Sequence, residues 1–296
     1  NKYAGLYKIY SGNPDDGGYN WFLFEDHQFA MLTFGTLVSG TWEENESNEL
    51  TFHPNSPKEK FQVFGRKSEN VKGSKMMFAN LDINEDSYIG FTPETLQPIL
   101  NADANCLPRP IVKTLDEKIN HLYFSNFTSE NNVENKKAFH IKTEDNNDYI
   151  VIYYPQHQMF EDFVGKIENN ELSIIYGEKS SKKRAINPTE AGEIKQFIQQ
   201  QKAEYSKTVL VTNVGYRFIN LLAEGESSEN HRAISKSFYN FDSKNQIYTS
   251  KDPREFEDAY SDYNTLFEYK LLQFEKVTPP KKLNPKNLLQ YTCEEN

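Results

Sequence analysis

Cysteine is almost absent from this chain, and long apolar runs are absent altogether. Cys106 and Cys293 are the only thiols in 296 residues. They lack the Cys-x-x-Cys spacing of a zinc or dithiol redox site, which leaves two free thiols or one long-range disulfide. No stretch reaches the ~20 apolar residues that would cross a bilayer as a helix, and no charged-then-apolar leader follows Asn1. Positive charge is short as well: 33 basic against 43 acidic side chains leave a formal charge of −10 and a pI near 5.2. A surface of that sign repels polyanions, so nucleic acid is not an expected partner. Missing too are a Gly-x-Ser-x-Gly elbow, a phosphate loop, a His-Glu-x-x-His pair and a dinucleotide fingerprint.

What the chain does have is aromatic residues. Its 2 Trp, 18 Tyr and 21 Phe make up 14% of the residues, and each ring buries about 150–250 Å². A core is therefore available although the hydrophobic fraction is only 37%. The length fits one large domain or two of ordinary size. Short runs rich in aromatic and β-branched residues at 4–10, 20–25, 28–34, 37–43, 49–53 and 60–65 predict strands, broken by Asn, Asp, Gly and Pro clusters. Further strands are predicted at 138–142, 149–154, 162–167, 171–176 and 267–277. Helices are expected from Pro188 to about Lys202, with Ile194, Phe197 and Ile198 on one buried face, at 93–100, and over 253–263. Asn187-Pro188 and Thr92-Pro93 both read as a capping residue followed by Pro at the first helical position. The Pro- and Lys-rich stretch 279–285 is expected to be extended.

An apparent internal repeat organises these segments. Tyr19 to Phe29 aligns without a gap to Tyr149 to Met159, with Tyr, His and Gln coinciding. In the same order, Gly40-Thr-Trp-Glu matches Gly165-Lys-Ile-Glu, and Asn48-Glu-Leu-Thr-Phe matches Asn170-Glu-Leu-Ser-Ile. The expected fold is mainly β with a few helices, as two tandem antiparallel β-meander domains, sandwich or barrel-like, related by duplication. Residues 1–130 would form the first, with its helix near 93–100. Residues 135–296 would form the second, with the 188–202 helix and an extended C-terminal tail, the join lying in the polar stretch 129–136.

Three groups of residues invite a chemical reading. Asp82, Asn84 and Asp86 place oxygen donors at alternate positions before the apolar Ile89, a spacing that resembles an EF-hand loop and implies Ca²⁺. Ser87 stands where that loop needs Gly, however, and Pro93 stands at its twelfth position, so an Asx-rich turn is the competing account. His27 and His157 recur in the repeat but sit where hairpins should turn, and they are expected to be exposed and without chemistry. Gly40-Thr-Trp42 resembles the Gly-x-Trp of lipocalin-like barrels, although there the motif lies on the first strand and here several strands precede it.

The expected function is binding rather than catalysis: a bacterial cell-envelope or secreted protein whose aromatic β faces take a protein partner or a glycan. Two alternatives stand beside it. One is a hydrolase of carbohydrate or ester with paired carboxylates, which carry no fixed sequence spacing. The other is a lipocalin-like carrier of an apolar ligand, which requires an open barrel interior.

Overall fold

The structure, a computed structural model, describes residues 2–10, 18–33, 36–46, 49–85, 87–126, 137–174, 179–222, 233–253, 263–278 and 282–293. It is mainly β and divides into two compact units, Asn1–Lys58 with Gln156–Lys207, and Glu59–Pro155 with Thr208–Asn296. The first unit opens with β1 (Gly5–Ile9), β2 (Tyr19–Leu23), β3 (Gln28–Thr33), β4 (Thr36–Glu44) and β5 (Leu50–Pro54). The chain then builds β6 (Phe61–Arg66), β7 (Ser74–Ala79), β8 (Ser87–Thr92), β9 (Thr95–Pro98), β10 (Ile111–Leu115), β11 (His121–Asn126), β12 (Lys137–Lys142) and β13 (Asp148–Tyr153) of the second unit. It returns to the first with β14 (Phe163–Glu168), β15 (Glu171–Ile174), β16 (Lys179–Lys182) and helix α1 (Pro188–Tyr205). It finishes in the second unit with β17 (Val209–Asn213), β18 (Asn220–Leu222), β19 (Ala233–Ser235), β20 (Tyr239–Asp242), β21 (Ile247–Ser250), β22 (Thr265–Leu271), β23 (Phe274–Val277) and β24 (Lys282–Leu283).

The first unit is an eight-stranded antiparallel sheet in the order β1-β2-β3-β4-β5-β14-β15-β16. Its two ends nearly meet, because the Leu6 N–H donates to the Arg184 carbonyl and the Arg184 N–H to the Leu6 carbonyl, both at 2.9 Å. The sheet is therefore a nearly closed barrel, the arrangement that removes exposed strand edges. Strand alternation gives it two apolar surfaces. Tyr7, Ile9, Trp21, Leu23, Phe29, Val38, Trp42, Leu50, Phe52 and Leu172 form one buried cluster. Phe22, Phe24 and Ala30 instead pack with Ile194 and Ile198 of α1. That helix begins as its sequence predicts: Pro188 occupies the first turn, and the Asn187 side chain accepts from the Thr189 N–H at 2.9 Å. Phe197, expected on the buried face, is 55% exposed, so the covered stripe is the narrower one through Ile194 and Ile198.

The second unit has two large sheets, β10-β7-β13-β6-β22-β21-β20, with β17 also on β22, and β23-β12-β11-β8-β9-β24. Val63, Met76, Phe78 and Val151 from one sheet share a core with Ile89, Leu122, Phe124 and Ile141 from the other. Strand β13 lies between β6 and β7, is parallel to β7, and has all six residues buried, as a strand covered on both faces must. At its start the fully buried Asp148 accepts from Arg66 Nε at 2.9 Å and from the Tyr269 hydroxyl at 3.1 Å. Cys106 and Cys293, 187 residues apart, are joined as a disulfide within this unit.

Several sequence expectations change. The two aligned segments are not two copies of one meander: Tyr19 lies on β2 of the barrel, whereas Tyr149 lies on the central β13 of the other unit. The aligned segments from Tyr149 to Ile174 are split between the units, so tandem domains at 1–130 and 135–296 give way to a first unit interrupted after Lys58 and resumed at Gln156. Aromatic-rich alternation is common to any half-buried strand, and this explains the resemblance. The helix expected at 93–100 is a hairpin: Pro93 and Glu94 turn between β8 and β9. Pro fixes a φ that serves a tight turn as well as a first helical turn. The strand expected at 267–277 is two strands, β22 and β23, parted at 272–273. The stretch 129–136 and nearly all of the helix expected at 253–263 fall outside the described residues.

Candidate ligand-binding site

The barrel interior is filled unevenly. Register pairs Ile9 with Tyr19, Trp21 with Met31, and Met31 with Val38. These cross-strand neighbours, together with Phe160, Phe163 and Ile174, line an open cavity of about 270 Å³. Trp21 at 5% and Val38 at 2% exposure are its buried wall, while Tyr19, Met31, Phe160, Phe163 and Ile174 are only partly covered and form its rim. Beneath lies an aromatic cluster. Phe52 stacks on Phe163 with ring centroids 5.0 Å apart, and Trp21 meets both Phe52 and Phe163 edge-on at 5.6 and 5.8 Å. Geometry of this kind fixes ring positions beyond what burial alone does.

Trp42 packs within the same barrel cluster. Its indole Nε1–H donates to the Gln28 carbonyl at 3.0 Å, and the His27 ring lies flat on it with centroids 4.5 Å apart. Gly40 lets β4 pass here, since a Cβ would stand 2.0 Å from the His53 carbonyl and 2.8 Å from Phe29. The Gly-x-Trp segment is thus a packing device on the fourth strand. Tyr7 donates its hydroxyl to the Tyr3 carbonyl at 2.7 Å, and burial holds that phenol well above its ordinary value.

Of the side chains that line the cavity, only Tyr19 with its hydroxyl and Trp21 with its indole N–H carry a conventional hydrogen-bonding group. Polar groups gather instead on the segment that carries Phe160. The Phe160 N–H donates to Ser56 Oγ at 3.0 Å, and Ser56 donates to the Gln158 carbonyl at 3.3 Å. Asp162 lies 2.7 Å from His53 Nδ1, and Glu43 lies 3.5 Å from its Nε2. Hydrogen bonding to Asp162, aided by Glu43, raises the His53 imidazole above its usual value against partial burial. None of these residues announced itself in the sequence, because Glu43, His53 and Asp162 come from β4, β5 and the segment before β14, more than a hundred residues on.

The residues singled out by motif are placed as follows. Asp82 and Asn84 lie between β7 and β8, where Asp82 Oδ1 accepts from the Asn84 N–H at 2.8 Å and from its amide nitrogen at 3.1 Å. These contacts form an Asx turn. Asp86 lies outside the described residues. His27 occupies the exposed β2–β3 turn with a positive φ of 63°, and His157 occupies an exposed single turn, Gln156–Gln158. His27 stands at a hairpin turn, as expected, whereas the turn of His157 closes no hairpin, since β13 and β14 do not pair.

Fold and site together define a mainly β protein with a nearly closed eight-stranded barrel and an apolar cup between its strands. The chain matches no family model, no curated protein and no solved structure.

Proposed function

We propose that the first unit is a binding barrel for a compact apolar molecule or the apolar end of a longer one. The observation that carries this reading is the cup bounded by Ile9, Trp21, Met31, Val38 and Phe163, open to solvent and almost without polar atoms. Its volume, about 270 Å³, sits at the lower edge of ordinary ligand sites, about 300–1,000 Å³. Filling it removes apolar surface from water at roughly 25 cal/mol per Å². A charged ligand would lose its hydration there without a partner. Of the functions expected from the sequence, the carrier of an apolar ligand is therefore favoured.

The test is titration of the purified chain with the uncharged probe N-phenyl-1-naphthylamine. Its emission should rise on binding, and Met31→Glu should weaken affinity about tenfold or more by placing a charge in the cup. Phe160→Ala, which leaves every barrel strand intact, should weaken it as well. Equal affinity in both variants and the parent would refute the reading. A second reading, docking of a partner protein or glycan, is supported by Phe238 and Phe241, 62% and 44% exposed beside or on β20, the outermost strand of its sheet.

A further inference from the structure

In the second unit, strands β11 and β12 bring two histidines together. Tyr123 is the register partner of His140, and His121 that of Lys142, which sets the two imidazoles diagonally across the strand pair. His121 Nδ1 and His140 Nε2 are 3.0 Å apart. The His140 ring is held in place by Tyr123, stacked on it with centroids 4.7 Å apart and planes 16° from parallel. On its other side the Glu275 carboxylate of β23 stands 4.0 Å from Nδ1. His140 is 11% exposed at its side chain and His121 is open to solvent.

We propose that His121 Nδ1 and His140 Nε2 are a two-histidine site for a divalent transition-metal ion such as Zn²⁺, with solvent completing its coordination. Zn–N bonds are about 2.0–2.1 Å. At a tetrahedral angle two such ligands stand about 3.3 Å apart, so the pair needs to open by only a few tenths of an ångström. Imidazole nitrogens select ions of this kind over Ca²⁺ or Mg²⁺, which prefer oxygen. Without metal, one imidazole donates its N–H to the other. On binding, that proton moves to the opposite nitrogen of the same ring, and no proton is lost overall. For His140 the opposite nitrogen is Nδ1, on the side of Glu275, whose carboxylate oxygen stands 4.0 Å away. Burial, with His121 and Lys142 nearby, lowers the His140 value against the opposing pull of Glu275.

Isothermal titration of the metal-free full chain with ZnCl₂ near pH 7.5 tests this, with His53→Gln as a control because that histidine also lies beside carboxylates. The expected result is one binding event, at least about tenfold weaker in His121→Gln and in His140→Gln and unchanged in His53→Gln. His121 is exposed, so its replacement leaves the fold intact. Side-chain ¹⁵N spectra should show Zn²⁺ shifting His121 Nδ1 and His140 Nε2. Absence of any binding, unchanged affinity in His121→Gln, or loss confined to His53→Gln would overturn the proposal.

Discussion

At the scale of single residues, the clearest devices bind groups that are distant in sequence. His53, held by Asp162 and Glu43, is one. Because the pairing raises the imidazole's value, its stabilisation is complete below the unfolded value of about 6.5 and fades as pH climbs through the folded one. The Tm difference between the parent and His53→Gln should therefore be larger near pH 5.5 than near pH 8.5. Equal differences at the two pH values would dismiss the pair as a contributor. Asp148 is a second device, fully buried against Arg66, whose guanidinium also lies 4.2 Å over the Phe267 ring. Asp148→Ala leaves Arg66 charged and uncompensated, and it should cost about 3–5 kcal/mol in urea unfolding. Replacing both partners, as in Asp148→Leu with Arg66→Met, should cost clearly less, since it removes the stranded charge. Neither device was legible in the sequence: Arg66 and Asp148 stand 82 residues apart with nothing local to link them.

Elements were read far better than residues. Alternation located β1 to β6 within a residue or two at each end, because each strand has one face turned to a core and pleating writes that into the sequence as a period of two. Helix α1 was legible for the same kind of reason, with Asn187 and Pro188 at its start and Ile194 and Ile198 four apart. Pro93 shows the limit of such cues. Thr92-Pro93 carries the same signal as Asn187-Pro188, yet Leu96 is buried between the half-covered Thr95 and Gln97, a strand's alternation rather than a helix's stripe. The helix also supplies a quantitative test. Ile198→Ala removes a side chain only 3% exposed and should cost about 2–5 kcal/mol. Phe197→Ala, on the open side, should change stability by no more than roughly 0.5 kcal/mol. Similar costs for the two, read by far-UV circular dichroism in urea, would mean that α1 packs on the barrel differently.

For the whole molecule, sequence gave the class but not the topology. Aromatic strands and turn clusters announce a β protein. Which strand pairs with which is written in register between segments far apart, such as Phe52 of β5 opposite Phe163 of β14, and an apparent repeat easily masks it. The Cys106–Cys293 bond joins two residues of the second unit that stand 187 apart in sequence, and closing so long a loop constrains the unfolded chain. Converting both cysteines to serine should lower stability by about 2–5 kcal/mol, with the parent falling by a similar amount once reduced. A midpoint indifferent to reductant would show that the bond adds nothing. The interrupted barrel has a further consequence during synthesis. When β5 leaves the ribosome its partner edge is still unmade, because His53 and Asp162 stand 109 positions apart in sequence. Until β14 arrives, five aromatic strands present an open edge of backbone donors and acceptors to every other nascent chain nearby. A ribosome stalled near residue 155 should therefore hold a chain that holdase chaperones retain, released only when the last three strands have been translated and the barrel can shut.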